Sequence, residues 1–255
     1  MLHNIFDSHA HYNDERFAED RESVLCALPE KGVCGVINCG TDTATSEESR
    51  MLAERYDFMY FAAGIHPEDC DDTPMEALNE IAALLSHKKC LAVGEIGLDY
   101  YWPEPPREAQ HRFFEAQLKL ALQYGKPVIV HDRDAHGPTM ELLKKYRPKG
   151  VLHCFSGSVE TMQEAIRCGL YIGLGGAVTF KNAKKAAEVA KAVPSERLLL
   201  ETDCPYMAPV PFRGKRNDSA LIAYTARFIA DLRGEDPQFL IDRCTENTKR
   251  LFFNA

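Results

Sequence analysis

Two histidines one residue apart, His9 and His11, open the set of side chains in this sequence that can do chemistry. Alternate residues on an extended strand share a face, so both imidazoles can approach one ion. A lone histidine is more often a hydrogen-bonded core residue than a ligand, and a His-x-His pair also arises by chance. The pair gains weight from its company. Glu95, His131, His153 and Asp203 each stand, like His9 and His11, at the end of a short apolar run. Imidazoles and carboxylates without cysteine suit zinc, manganese or magnesium in a hydrolytic centre. Four imidazoles and two carboxylates are too many for one open site. They suit two divalent metal ions that share a bridging carboxylate.

The elements that must position these residues follow from the apolar pattern. Strands are predicted at Asn4–Ser8, Val33–Cys39, Phe58–Ile65, Leu91–Glu95, Val128–His131, Val151–Cys154, Leu170–Leu174 and Arg197–Thr202. Such runs, apolar on both faces, suit parallel strands buried under helices. Between them, Thr73-Pro74-Met75-Glu76 predicts an N-cap with proline at the first helical position, followed by a face of Met75, Leu78, Ala82 and Leu85. Leu221, Tyr224, Thr225, Phe228, Ile229 and Leu232 keep the helical period up to Gly234. Leu240, Cys244, Asn247 and Leu251 mark a last helix. Eight strands alternating with helices over 255 residues is the rhythm of an α/β TIM (β/α)8 barrel, read as a single domain over residues 1–255. A doubly wound sheet would need fewer strands and a glycine-rich phosphate loop, and neither GxGxxG nor GxxxxGK follows the first strand. Functional side chains of a barrel gather at the C-terminal strand ends. The six residues fall there, as does His66 after the third run, with His136 slightly beyond the fifth.

Composition narrows the class. With 45% hydrophobic and 27% charged residues the chain reads as a soluble globular protein, and its net charge of −8 disfavours non-specific binding to membranes or nucleic acid. Nine scattered cysteines without a CxxC pair, and no secretory signal, read as reduced thiols of a cytoplasmic protein. No apolar run is long enough to span a bilayer, and nothing in the pattern calls for an obligate protein partner.

Five ordered motifs resemble the TatD family of deoxyribonucleases. They are Ile5-Phe6-Asp7-Ser8-His9-Ala10-His11, Val93-Gly94-Glu95-Ile96-Gly97-Leu98-Asp99-Tyr100, Pro127 to Ala135 around His131, His153-Cys154-Phe155-Ser156-Gly157, and Leu200-Glu201-Thr202-Asp203-Cys204-Pro205. The resemblance covers residues 5 to 205 and implies a barrel of the metal-dependent hydrolase superfamily. Carried over by position, it implies one metal at His9, His11, Glu95 and Asp203 and a second at Glu95, His131 and His153, with Glu95 bridging. Two positions depart from the family pattern: Glu68 follows His66-Pro67 in place of a second histidine, and Gly137 replaces an acidic residue.

Such a centre hydrolyses. Water between two cations loses a proton near neutral pH, with Asp203 expected as proton shuttle and Glu95 as the bridge. Substrate contacts are expected at His66, Arg133, Arg213 and Tyr100. The Arg133 fork suits a phosphate, and Arg213, Lys215 and Arg216 form a local basic loop whose plainer reading is solvation. Tyr100, Tyr101 and Trp102 can stack on bases or simply pack their loop. Cys154 and Cys204 are expected to turn away and pack, and Ser156 lacks the G-x-S-x-G elbow of a nucleophile. The expected function is a metal-dependent deoxyribonuclease, which the resemblance implies to be of 3′–5′ exonuclease type, with DNA, single-stranded or at 3′ ends, as substrate. The alternatives are a small-molecule amidohydrolase, lactonase or phosphoesterase of the same superfamily, and a non-catalytic barrel, which has no need of six ligands on one rim.

Overall fold

Each strand pairs in parallel with the next in sequence, giving the order β1 to β8 without a crossover. The structure, a computed structural model, describes residues 1–71 and 73–253. The strands are β1 (Ile5–Ala10), β2 (Val33–Cys39), β3 (Met59–Ala63), β4 (Cys90–Asp99), β5 (Val128–Arg133), β6 (Gly150–Leu152), β7 (Tyr171–Leu174) and β8 (Leu198–Leu200). Between and after them run α1 (Arg21–Ala27), α2 (Thr43–Arg55), α3 (Ala77–Leu85), α4 (Arg107–Tyr124), α5 (His136–Tyr146), α6 (Val159–Arg167), α7 (Lys184–Ala192), α8 (Ile222–Arg233) and α9 (Pro237–Phe252). The ring closes where β8 meets β1: Asp203 N donates to His9 O at 2.9 Å and His11 N to Cys204 O at 2.8 Å. This is the TIM barrel that the alternation of runs predicts.

All eight strands feed one apolar cluster, including Phe6, Ile37, Ala62, Ala92, Ile129, Val151, Tyr171 and Leu199. The intervening strand residues pack instead with the helices, as strand alternation requires. Leu251 and Phe252 of α9 join the first cluster, and Phe253 meets Tyr60 edge-on with ring centroids 4.8 Å apart. The last helix thereby covers one end of the barrel, and the metal-type side chains occupy the other.

Several boundaries differ from the sequence expectation. The predicted fourth strand ends at Glu95, yet β4 continues to Asp99 because Ile96 to Asp99 pair with Val130 to Arg133. The sixth and eighth strands are shorter than predicted. The chain leaves the ladder so that Cys154 and Asp203 can take positive φ, 43° and 57°, which turns the chain at the rim. Thr73 does not cap α3. Its hydroxyl donates to Asp69 O at 2.6 Å, so the helix starts later and buries Ala77, Ile81 and Leu85. The Gly234 stop is as predicted, with φ 67°. Among the described residues no helix is long and apolar enough to cross a membrane.

Candidate metal centre

Glu95 sits at the centre of the rim, 3% exposed, on a strand made unusually deep by its pairing with β5. Gly97 permits that pairing: its φ is 154°, and a β-carbon there would collide with the carbonyl oxygen of His131. The two oxygens of Glu95 face different imidazoles. Oε2 lies 3.2 Å from His9 Nε2 and 3.4 Å from His11 Nε2. Oε1 lies 2.9 Å from His131 Nδ1 and 2.8 Å from His153 Nε2. Asp203 Oδ1 completes the first group, 3.4 Å from both His9 Nε2 and His11 Nε2. Six residues from strand ends scattered over the sequence thus converge, and with His66 their ligand atoms form three overlapping groups, His9–Glu95–His153, His9–His11–Asp203 and His66–Glu95–His131, each within 4.8 Å.

Neighbouring groups decide where the imidazole protons sit. His11 Nδ1 faces the Cys39 carbonyl oxygen at 3.0 Å and must donate to it, which leaves Nε2 as the lone-pair nitrogen of the neutral ring. His131 Nε2 faces Asp99 Oδ2 at 2.9 Å, so Nδ1 carries its lone pair toward Glu95. His66 is arranged the other way. Its Nδ1 accepts from Glu68 N at 3.2 Å, and its Nε2–H points at Glu95 Oε1 at 3.4 Å. With Glu95 and His131 it also forms a group whose ligand atoms lie within 4.8 Å of one another.

These donors fit divalent cations. His9 Nε2 and His11 Nε2 approach to 2.9 Å, too close for each to aim a proton at the other. Lone pairs and carboxylate oxygens converging on one point are what a cation satisfies. In the metal-free protein the carboxylates draw protons onto the rings instead. Burial opposes charge on His11, but Asp203 and Glu95 outweigh it and hold its pKa up at about 10. Burial likewise opposes charge on His131, and Asp99 and Glu95 raise it to about 9. His153 behaves differently: burial and the neighbouring positive His9 push it down to about 4, so it stays neutral. Glu95 is buried, which favours its neutral form, yet the surrounding imidazoles hold it ionised well below the usual range.

The outer partners were not singled out by sequence. Asp99 carries a discernible signal, since it lies four residues beyond Glu95 on the same strand and therefore on the same face. Asp7 and Glu201 carry less. Asp7 Oδ1 accepts from Thr202 N at 3.0 Å and Oδ2 from Ser219 Oγ at 2.6 Å, tying β1 to the chain after β8. Glu201 accepts from Cys154 N and lies 3.8 Å behind His153 Nδ1, with burial raising its pKa to about 8.

The expected substrate contacts divide. Arg133 stands at the rim with its guanidinium 3.8 Å from the Tyr101 ring centroid, and Arg213 lies 4.4 Å from that of Phe180. Tyr100 is not brought to the metal-type cluster. Its hydroxyl bonds His111 Nε2 on α4 at 2.5 Å and Arg107 covers its ring. Arg216 is paired with Asp20 at 2.5 Å. Cys204 is buried, and Cys154 Sγ packs 3.7 Å from Met207 Sδ.

Residues 6–253 match the sequence profile of the family described as TatD related DNase. The chain belongs to this family. It is 41% identical to the uncharacterized metal-dependent hydrolase YabD of Bacillus subtilis, over 97% of this chain and 98% of that protein. It is 35% identical to the 3′-5′ ssDNA/RNA exonuclease TatD of Escherichia coli K12, again over 97% and 98%. The crystal structure of YJJV, a TatD homologue from Escherichia coli K12, superposes with a TM-score of 0.93 at 33% identity over the whole of both chains. As a TatD-family protein the molecule is a metal-dependent hydrolase, and its His, Glu and Asp groupings are able to bind metal.

Proposed function

We propose that the protein is a two-metal exonuclease that trims single-stranded DNA from the 3′ end in the cytoplasm. One observation carries this reading: Glu95 points one oxygen at His9 and His11, at 3.2 and 3.4 Å, and the other at His131 and His153, at 2.9 and 2.8 Å, with His66 3.4 Å from the second oxygen. That is the arrangement of a bridging carboxylate, with His9, His11 and Asp203 to hold one ion and His131 and His153 the other. Zinc, manganese and magnesium all suit these donors. Bound there, the cations would acidify a water molecule and neutralise charge on the phosphoryl oxygens.

The protein's own groups do the rest. Asp203, with its side chain 16% exposed, is the carboxylate on the first set that solvent can reach, and it takes the proton of the attacking water and returns it to the leaving oxygen. His66 offers an N–H beside Glu95, and Arg133 offers a planar fork for a phosphate at the rim. The named activity of the Escherichia coli relative supports a nucleic-acid substrate. Nine free thiols support the cytoplasm as its place of action.

The test is a product ladder. Metal-loaded protein given oligonucleotides labelled at either end should shorten them stepwise from the 3′ end, and metal analysis should return two ions per chain. Intact oligonucleotides alongside turnover of a lactone, cyclic amide or simple phosphate ester would overturn the nuclease reading.

A further inference from the structure

Two guanidinium–aromatic groups stand on opposite sides of the barrel mouth. On the side of β4 and β5, Tyr101 and Trp102 meet edge-on with centroids 4.7 Å apart, and they remain 52% and 48% exposed. The Arg133 guanidinium lies over Tyr101 at 3.8 Å and reaches Trp102 at 5.8 Å. On the side of β7, β8 and β1, a cleft of about 370 Å³ is lined by the segment Pro205 to Ala208 that follows Asp203. Its walls carry two further pairs, Arg16 over Tyr206 at 4.2 Å and Arg213 over Phe180 at 4.4 Å. Lys215 adds a third positive charge, and neither it nor Arg213 enters an ion pair among the described residues. The cleft walls are tied together: Val210 N donates to Thr179 Oγ1 at 2.9 Å, and Tyr206 OH to Asp14 Oδ2 at 3.0 Å.

In the strand order β4 and β5 lie across the ring from β8 and β1, with Glu95 and its imidazoles at the rim they share. Arg16 Nε lies 3.8 Å from Asp14 Oδ1, whereas the stacked guanidiniums of Arg133 and Arg213 are oriented by their rings and keep their N–H edges open to a phosphate. A half-exposed ring offers a face to a base. Both groups therefore fit the same ligand, a polymer with regularly spaced phosphates and unpaired planar bases. A duplex keeps its base faces inside the stack and cannot offer them.

We propose that single-stranded nucleic acid lies across the mouth of the barrel, held at one end by Tyr101, Trp102 and Arg133 and at the other by the Arg16–Tyr206 and Arg213–Phe180 cleft. The inference rests on the nuclease reading above and adds where the strand binds and why it must be several nucleotides long. A short fragment reaches one side only, and a longer strand engages both.

Trp102 is the only tryptophan of the chain, so its emission reports on one side of this track. The metal-loaded protein is titrated with cleavage-resistant phosphorothioate oligothymidylates of two and eight nucleotides. Binding is followed by Trp102 emission and by anisotropy of a labelled oligonucleotide. The eight-mer should quench Trp102 and bind more tightly than the dinucleotide. Trp102→Ala and the double variant Tyr206→Ala/Arg213→Ala should each weaken the eight-mer by about tenfold or more, toward the dinucleotide. If both variants keep the parent Tm, bind the eight-mer as tightly as the parent and still cleave ordinary oligonucleotides, the track is wrong while the nuclease reading stands. If the parent protein neither binds nor cleaves any oligonucleotide, both fail.

Discussion

His131 Nε2 donates to Asp99 Oδ2 at 2.9 Å, which leaves the Nδ1 of the same ring, and not Nε2, facing Glu95. The carboxylate is 1% exposed, and its other oxygen accepts from Tyr101 N at 2.9 Å, so it is held as firmly as the ring it orients. Asp99→Ala should lower affinity for the metal held by His131 by about 10- to 100-fold. Competition with a chromogenic chelator measures this. Unchanged affinity together with unchanged hydrolysis would show that the ring needs no such partner.

Glu95→Gln keeps the shape of the bridge and removes its charge. Five imidazoles then share a site with no central carboxylate, and the two ligand sets lose their common member. Oligonucleotide hydrolysis should fall by at least about 100-fold, and metal content should fall with it. A variant with full metal and full activity would sink the bridging role.

Metal loading should release protons. In the metal-free protein His11 and His131 are held up at about 10 and about 9, from a starting value of 6.5, so both carry protons at neutral pH that a cation must displace. Groups raised in the folded state stabilise it fully below their unfolded value, and that stability fades as pH climbs through the raised one. The metal-free protein should therefore lose stability between about pH 7 and 10, while zinc binding tightens over the same interval. Titration calorimetry at pH 7 in two buffers of different ionisation heat counts the protons, and a count of zero would contradict the scheme.

Asp7 closes the barrel. It is fully buried and accepts from Thr202 N and Oγ1, Ser219 Oγ and His9 N. Asp7→Ala leaves the two backbone donors without a partner and should cost about 2–5 kcal/mol. Asp7→Asn keeps an acceptor for them, and the two hydroxyls can rotate to accept from the amide, so it should cost much less. Urea unfolding of the two variants separates these outcomes, and equal losses would show that the hydrogen bonds are not what matters at this site.

The barrel was legible because its signals are local. Buried parallel strands must be apolar on both faces, so eight runs such as Val33–Cys39 and Val128–His131 stand out one at a time. His9, His11, Glu95, His131, His153 and Asp203 were legible as a set because a barrel sends the end of every strand to one rim. Strand lengths were less so. The extension of β4 to Asp99 depends on pairing with β5, and the early ends of β6 and β8 depend on the positive φ of Cys154 and Asp203, neither of which a run of side chains records.

By itself the sequence determined the alternation of strands and helices and the donor types at the strand ends, since both depend on residue type and short-range spacing. Only the tertiary structure decided which nitrogen of His11 and of His131 faces Glu95, because that is chosen by Cys39 O and Asp99, partners from neighbouring strands. It likewise decided that Tyr100 turns to α4 while Tyr101 and Trp102 stay open to solvent. A hydrogen bond's direction is set by the two groups it joins, and here those groups are brought together by the pairing of neighbouring strands, β1 with β2 and β4 with β5.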